Sequence, residues 1–301
     1  MKPSIFIISV LFTLNLFGQN LSEKVGEIEV KIIGHNFKHN SDGELTKRKT
    51  NRKNRPYLRM YFDSTGKLLK SVAFGKHHNT DLRLTDNIKV YEYANGKLSK
   101  SVEYESDYEK NVYPNWKTKY FYNKKGELID ESTYYIKNDS LFFKTTFEYD
   151  IHSNKIKSIF TPTYYYQREF DSLNRITSLK QIYDNKLRWD WNYTYSENIR
   201  TGIFQTYYKD GKDYTKKEIQ KFNNLGLLIE TEEVHVSESG LDEKTKIYYY
   251  QNGLIKRIEH YQSYNLQDGY EMISYSDIQF KSKIKIDSTI TEKINLQINI
   301  E

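Results

Sequence analysis

Tyr61-Phe62-Asp63-Ser64-Thr65-Gly66-Lys67-Leu68 is one copy of a phrase that recurs along most of the chain: aromatic pair, polar turn, then Leu or Ile. It returns as Tyr91-Glu92-Tyr93-Ala94-Asn95-Gly96-Lys97-Leu98, as Tyr120-Phe121-Tyr122-Asn123-Lys124-Lys125-Gly126-Glu127-Leu128, and as Phe222-Asn223-Asn224-Leu225-Gly226-Leu227-Leu228. With the turn Gly or Asn as marker, copies fall at Gly43, Gly66, Gly96, Gly126, Asn154, Asn174, Asn198, Gly226 and Gly253, 20 to 30 residues apart. Self-similarity at this period signals a repeat architecture. Gly and Asn tolerate the positive φ of tight hairpin turns, which explains their interchange.

Outward from each marker, apolar and polar residues alternate with period two. After Gly66, Leu68, Val72 and Phe74 share a face; after Gly96, Leu98, Val102 and Tyr104 do. That alternation predicts strands with one partly buried face, so each phrase reads as a β-hairpin. The copy at Asn198 breaks the pattern with Arg200, and Asp210-Gly211 is the competing turn. No stretch shows sustained helical spacing. Ile28, Val30 and Ile32 alternate at the start, while Ile278, Phe280, Ile284, Ile286, Ile290, Ile294, Leu296, Ile298 and Ile300 all fall on even positions at the finish. Both ends are therefore expected to be strands that cap a repeat array. Polar links at 46–57, 75–87, 105–116 and 235–245 read as loops between hairpins. The expected fold is all-β: an elongated array of tandem antiparallel hairpins in one long twisted or curled sheet, a single domain over residues 19–301.

Phe62-Asp63-Ser64-Thr65-Gly66-Lys67, Phe170-Asp171-Ser172-Leu173-Asn174-Arg175 and Tyr149-Asp150 permit a comparison. Over roughly residues 57–262 the pattern resembles YD repeats of the RHS type, whose units carry Tyr-Asp or Phe-Asp, two variable residues and Gly-Arg. Here the Arg is mostly Lys or Glu. The resemblance implies curved β-hairpin sheets, which in that family sometimes form a shell around a toxin. The chain is also similar to shorter hairpin-repeat proteins described as antitoxin components, which implies an immunity-like partner of a secreted toxin.

Lys2 followed by an apolar run from Ile5 to Phe17 predicts a secretory signal peptide over residues 1–18, too short to span a bilayer as a helix. No later apolar run is comparable, so the mature chain is expected to be exported, periplasmic or extracellular, with no transmembrane segment. The absence of cysteine excludes disulfides, thiol catalysis, zinc–thiolate sites and a lipid anchor on cysteine. With 28 Tyr and 15 Phe, the chain is far too aromatic for disorder despite 37% hydrophobic content. The formal charge of +6 is weak for this length and selects no partner.

Trp189-Asp190-Trp191-Asn192-Tyr193-Thr194-Tyr195 is the densest aromatic cluster. In a strand, Trp189, Trp191, Tyr193 and Tyr195 point one way. Such a row either packs as the core face of one repeat or stacks on sugar rings. In Tyr164-Tyr165-Tyr166 and Tyr248-Tyr249-Tyr250, the middle residues Tyr165 and Tyr249 are expected to face outward and are the further candidate ligand contacts. Lys47, Arg48, Lys49, Arg52, Lys53 and Arg55 form a basic patch, read as a solvated loop or an anion contact. It lacks interleaved aromatic residues, so nucleic acid is not an expected partner. His77-His78 with Asp81, and His35 with His39, fall short of a metal-ligand set, and no metal or cofactor is expected. No nucleophile elbow, zinc-protease helix or phosphate loop is present, and no catalytic residue is assigned. A lipid-facing barrel is disfavoured because the faces after Gly126 carry Asp130 and Ser132 on one side and Glu131 and Thr133 on the other. The sequence thus points to a non-enzymatic exported scaffold that binds protein or glycan at the cell envelope. Carbohydrate recognition by exposed aromatics is the alternative and an antitoxin-like role the third.

Overall fold

The structure is a computed structural model that describes residues 26–39, 45–49, 58–73, 87–106, 112–207, 214–235, 242–263, 269–283 and 285–298. The signal peptide, Gly43, Arg52, Lys53, Arg55, Phe74, His77, His78, Asp81 and Asp210-Gly211 lie outside the described residues. The strands are β1 (Gly26–His39), β2 (Leu45–Lys49), β3 (Leu58–Phe62), β4 (Leu68–Ala73), β5 (Asn87–Ala94), β6 (Lys97–Ser106) and β7 (Val112–Tyr122). There follow β8 (Leu128–Tyr135), β9 (Leu141–Tyr149), β10 (Lys155–Thr161), β11 (Tyr164–Phe170), β12 (Ile176–Tyr183) and β13 (Lys186–Ser196). The last are β14 (Ile199–Thr206), β15 (Thr215–Phe222), β16 (Leu228–His235), β17 (Asp242–Tyr249), β18 (Ile255–Ser263) and β19 (Glu271–Ser282), then the one helix among the described residues, α1 (Ser288–Gln297).

The hairpins form as the repeats predict, and the sheet then closes. From β3 to β19 each strand pairs antiparallel with the next, and β1 pairs with β19 on one edge and with β3 on the other. Eighteen strands therefore complete a barrel, with β2 added beside the end of β1. The expected elongated array is corrected here: an open sheet leaves two edges unpaired, and pairing the first strand with the last removes both.

The turns explain the Asp of the repeat. Asp63 Oδ1 accepts from the Thr65 N–H at 2.8 Å and the Lys67 N–H at 2.9 Å, while Gly66 carries φ +77°. Asp171 does the same for Leu173 and Arg175, and Asn223 for Leu225 and Leu227. A short side-chain acceptor thus satisfies the turn's N–H groups, and the residue three positions on must sit left-handed. The backbone N–H of Arg175, with its guanidinium, holds Asp171 below the usual carboxylate range. One marker shifts by one residue for this reason: Asp150 accepts from the His152 and Asn154 N–H groups, and the positive φ lies at Ser153 rather than Asn154; in the β13–β14 turn it lies at Glu197 rather than Asn198.

The turns led by Asp63, Asn123, Asp150, Asp171 and Asn223 lie on one end of the barrel, the turn rim; the longer connections lie on the opposite, loop rim, together with the short turns that join β8 to β9, β10 to β11 and β12 to β13. At the turn rim a tyrosine ties each second hairpin to the one before. Tyr93, Tyr149, Tyr195 and Tyr249 donate their hydroxyls to the carbonyls of Leu68, Leu128, Ile176 and Leu228 at 2.7 to 3.0 Å. In each case the acceptor lies just beyond the last paired residue of the two strands. The hydroxyl replaces the ladder bond where the strands splay. Where β14 and β15 pair to their ends, the Phe222 N–H bonds the Asn198 carbonyl instead and no hydroxyl is needed.

The finish of the chain is the second correction. Ile278 and Phe280 lie on the strand β19 as expected, but beyond it a helix replaces the strand: Asp287 caps α1 by accepting from the Ile290 N–H at 2.9 Å, and Ile290, Ile294 and Ile298 point into the core, while Ile284 and Ile300 lie outside the described residues. A spacing of four fits both a strand face and a helix face, so parity alone could not separate them. Leu296, on the same even positions, is 72% exposed. The helix packs on Ile28, Val30, Met60, Phe62, Ile255, Ile258 and Ile278, across the seam where β1 joins β3 and β19. Lys293 Nζ donates to the Gly66 carbonyl and Asn295 Nδ2 to that of Gly253, which pins α1 at the turn rim.

Cross-strand register assigns the two faces. One carries Trp116, Tyr120, Phe147, Tyr166, Trp189, Phe204 and, continuing round the ring, the apolar seam under α1. The other carries alternating charges such as Lys144 with Asp130 and Lys221 with Glu230. Over β7–β16, burial leads the pKa shifts on the aromatic face, raising Tyr120 and Tyr193 and lowering Lys155 and Arg168. On the charged face, hydrogen bonds to Asp130 and Glu230 lead the rise of Lys144 and Lys221. Side chains converge on the concave side of a closed sheet, so the aromatic face is the inside. The outside, laced with Lys and Glu, would be costly against hydrocarbon. No described helix is long and apolar enough to cross a membrane.

Two outcomes follow. Ile294→Ala, at a fully buried position, is expected to cost about 2–5 kcal/mol in urea unfolding followed by circular dichroism. Tyr195→Phe, which removes only the hydroxyl that reaches Ile176, is expected to cost about 1 kcal/mol in the same experiment, whereas Phe222→Tyr should bring no gain.

Candidate functional site

Rings line the inside of the barrel at the loop rim. Phe143 meets Phe160 at 5.6 Å between centroids, Phe160 meets Tyr166 at 5.2 Å, and Tyr166 meets Trp189 at 5.6 Å. The row continues from Trp189 to Phe204 at 5.8 Å, to Tyr214 at 6.2 Å and to His235 at 5.6 Å. It thus crosses from β9 to β16. A second group, Trp116 with Tyr135 and Phe142 at 4.4 Å each, lies beside it on β7–β9. All three tryptophans of the chain are therefore on this wall.

Tight turns at the loop rim place the centre of the belt. Asp184 and Asn185, both at positive φ, join β12 to β13, as the two-residue hairpin requires. Thr161 Oγ1 accepts from the Tyr164 N–H at 3.0 Å and closes the β10–β11 turn. Trp191 and Tyr193 stack at 5.8 Å with planes 5° apart, and their rings lie over Gly202 of the facing strand. A Cβ at Gly202 would come within 2.9 Å of Trp191 and 3.0 Å of Tyr193, so the missing side chain is what lets the rings lie flat.

Polar groups edge the rings. The Tyr164 and Tyr166 hydroxyls lie 2.9 Å apart and both accept from Gln181 Nε2 at 3.3 Å. Tyr214 Oη pairs with His235 Nδ1. Lys216 Nζ binds Glu233 at 2.7 Å while standing 5.5 Å over the Trp191 ring. Burial raises Glu218, and burial pushes Tyr193 up to about 12. A separate cavity of about 280 Å³ lies between β17 and β19, lined by Glu243, Thr245, His260, Gln262 and Ser274 among others. Burial lowers His260 below the ordinary imidazole value.

The structure brings Trp189 and Trp191 into the belt, on one face with Tyr193 and Tyr195 as the alternation implies. Both are half-buried. Tyr165 lies on the opposite, outer face under Lys157 Nζ at 4.1 Å. Tyr249 does not face outward: two residues after the core residue Ile247 on an unbroken strand it points inward, where it packs on the core and bonds the Leu228 carbonyl. Tyr248, 43% exposed, takes the outer position. Lys47, Arg48 and Lys49 belong to β2 and pair with His35–Phe37 rather than lying in a loop. His35 stacks on Tyr275 at 4.4 Å. Among the described residues no group of His, Cys, Asp and Glu could hold a metal ion. Phe160, Phe204, Tyr214 and Gly202 were not legible as partners of the tryptophans, because only cross-strand register joins them.

No family model matches the chain, and no curated protein does. Among solved structures it is similar to TcdB2-TccC3-Cdc42, at 12% identity and TM-score 0.32, covering 85% of this chain and 20% of that one. It thus spans about a fifth of that chain's length. It is also similar to a porin-like protein from Bacteroides uniformis, at 11% identity and TM-score 0.38, covering 85% and 97%.

The raised Tyr193 gives a pH outcome. Its neutral form is favoured in the folded state, so its contribution to stability is complete below the unfolded pKa of about 10 and is lost as pH rises towards 12. Absorbance titration of the phenolates is expected to show a late-ionising fraction, reduced in Tyr193→Phe. An identical titration of variant and parent would contradict the buried placement.

Proposed function

We propose that the protein is a non-enzymatic exported scaffold of the cell envelope that recognises a partner through the aromatic inner wall at its loop rim. The supporting observation is that the belt remains half-open although the chain possesses a dry core elsewhere, under α1. Large rings left at a wet, concave surface are characteristic of recognition rather than of packing. Their edges carry hydroxyl, amide and ammonium groups, which fix orientation while the faces supply contact area. Export rests on the apolar segment after Lys2.

The variant Trp189→Ala/Trp191→Ala tests this on a glycan array and against envelope fractions. A folded variant that loses a partner retained by the parent is the expected result, with a melting curve close to the parent's. A variant that unfolds would show the two rings to be core, and turnover of a bound glycan would overturn the non-enzymatic reading.

A further inference from the structure

The inner wall pairs some of its charges across facing strands. Lys89 binds Glu103 and Lys216 binds Glu233, each at 2.7 Å and each between facing strands. Arg168 and Lys155, like Arg200 farther round the wall, are in no such pair. Arg168 lies two residues beyond Tyr166 on the same face of β11, and its Nη1 donates to Ser158 Oγ at 3.0 Å. Lys155 lies on the neighbouring strand, its Nζ 4.1 Å from the centre of the Phe147 ring. Among the described residues neither cation has a carboxylate within 4 Å. Burial lowers both, the charge of Arg168 lowers Lys155 further, and only Glu131 acts on Lys155 in the opposite sense.

Two like charges drawn partly out of water, with no carboxylate in contact and only Glu131 acting on Lys155 from beyond 4 Å, are unfavourable unless something anionic completes them. A neutral ligand would leave that cost in place. An anion alone would not use the rings that begin one residue pair away at Tyr166 and run through Trp189. A ligand with both flat apolar ring faces and carboxylates uses both features.

We propose that the belt and the Arg168–Lys155 pair form one site for an acidic carbohydrate chain, with sugar faces on Tyr166 and Trp189 and a uronic-acid carboxylate between the two cations. This rests on the reading of the belt as a recognition wall and assigns its ligand class. The guanidinium offers a fork of donors to the carboxylate and Lys155 a point charge, a combination that also makes binding salt-dependent.

The test titrates the full exported chain, following tryptophan fluorescence, with an oligogalacturonate, its methyl ester, a neutral cello-oligosaccharide and sodium sulfate. The acid form should bind, its methyl ester should bind about tenfold or more weakly, and added salt should weaken the acid form alone. Arg168→Gln and Lys155→Gln should each remove most of the preference for the acid, while Lys144→Ala on the outer face should not. The ester comparison needs no variant, so it decides the matter even where a substitution disturbs folding. Equal binding of acid and ester, or of the neutral oligosaccharide, would overturn the acidic class while leaving the recognition wall standing. Sulfate binding as tightly as the sugar acid would mean an adventitious ion only and would overturn it too. No binding of any sugar, together with unchanged partner capture by Trp189→Ala/Trp191→Ala, would sink both readings.

Discussion

The pairing of β1 with both β3 and β19 is the contact on which the molecule depends. Every other strand pair joins neighbours in sequence and costs little loop closure, but this one brings residue 28 against residue 282. Long-range closure carries an entropic penalty that local hairpins do not. The seam is also where the apolar core lies, with Ile28, Val30, Met60, Phe62 and Ile278 dry beneath α1. The costliest contact and the densest burial coincide, and the helix supplied by the end of the chain covers both.

Away from the seam the barrel is held by many small terms. Buried Ser and Thr, such as Ser101, Thr118, Ser158 and Thr206, fill the space between rings on the inner face. Tyrosine serves twice: its hydroxyl extends the ladder at the turn rim, and its ring packs or stays open at the loop rim. A chain with no disulfides and few aliphatic residues can build a wide barrel this way, since each ring buries a large area while keeping a polar end satisfied.

That division separates stability from recognition along one axis. The turn rim holds the helix, the latches and the regular Asp-led turns; the loop rim holds the open rings and the longer connections. A rigid scaffold with variable connections at one end is the usual way to carry a binding surface. Beside the rings, Lys216 is paired with Glu233 while Arg168 and Lys155 have no carboxylate within 4 Å.

The repeats, the hairpins, the Asp-and-Gly turns and the shared face of Trp189, Trp191, Tyr193 and Tyr195 were all legible in the sequence, because each is set by local backbone chemistry or by a period of two. Tertiary contact alone decided the rest. Closure depends on the sum of twist over eighteen strands, which no single repeat encodes. Whether Ile290, Ile294 and Ile298 became strand or helix was settled by the seam they cover, since a spacing of four satisfies both. Which member of Tyr248-Tyr249-Tyr250 faces inward followed from where Ile247 met Ile258 in the core, which the triplet by itself does not encode. The belt and its two unmatched cations exist only once β9–β16 stand side by side, for the residues that meet there are far apart in the chain.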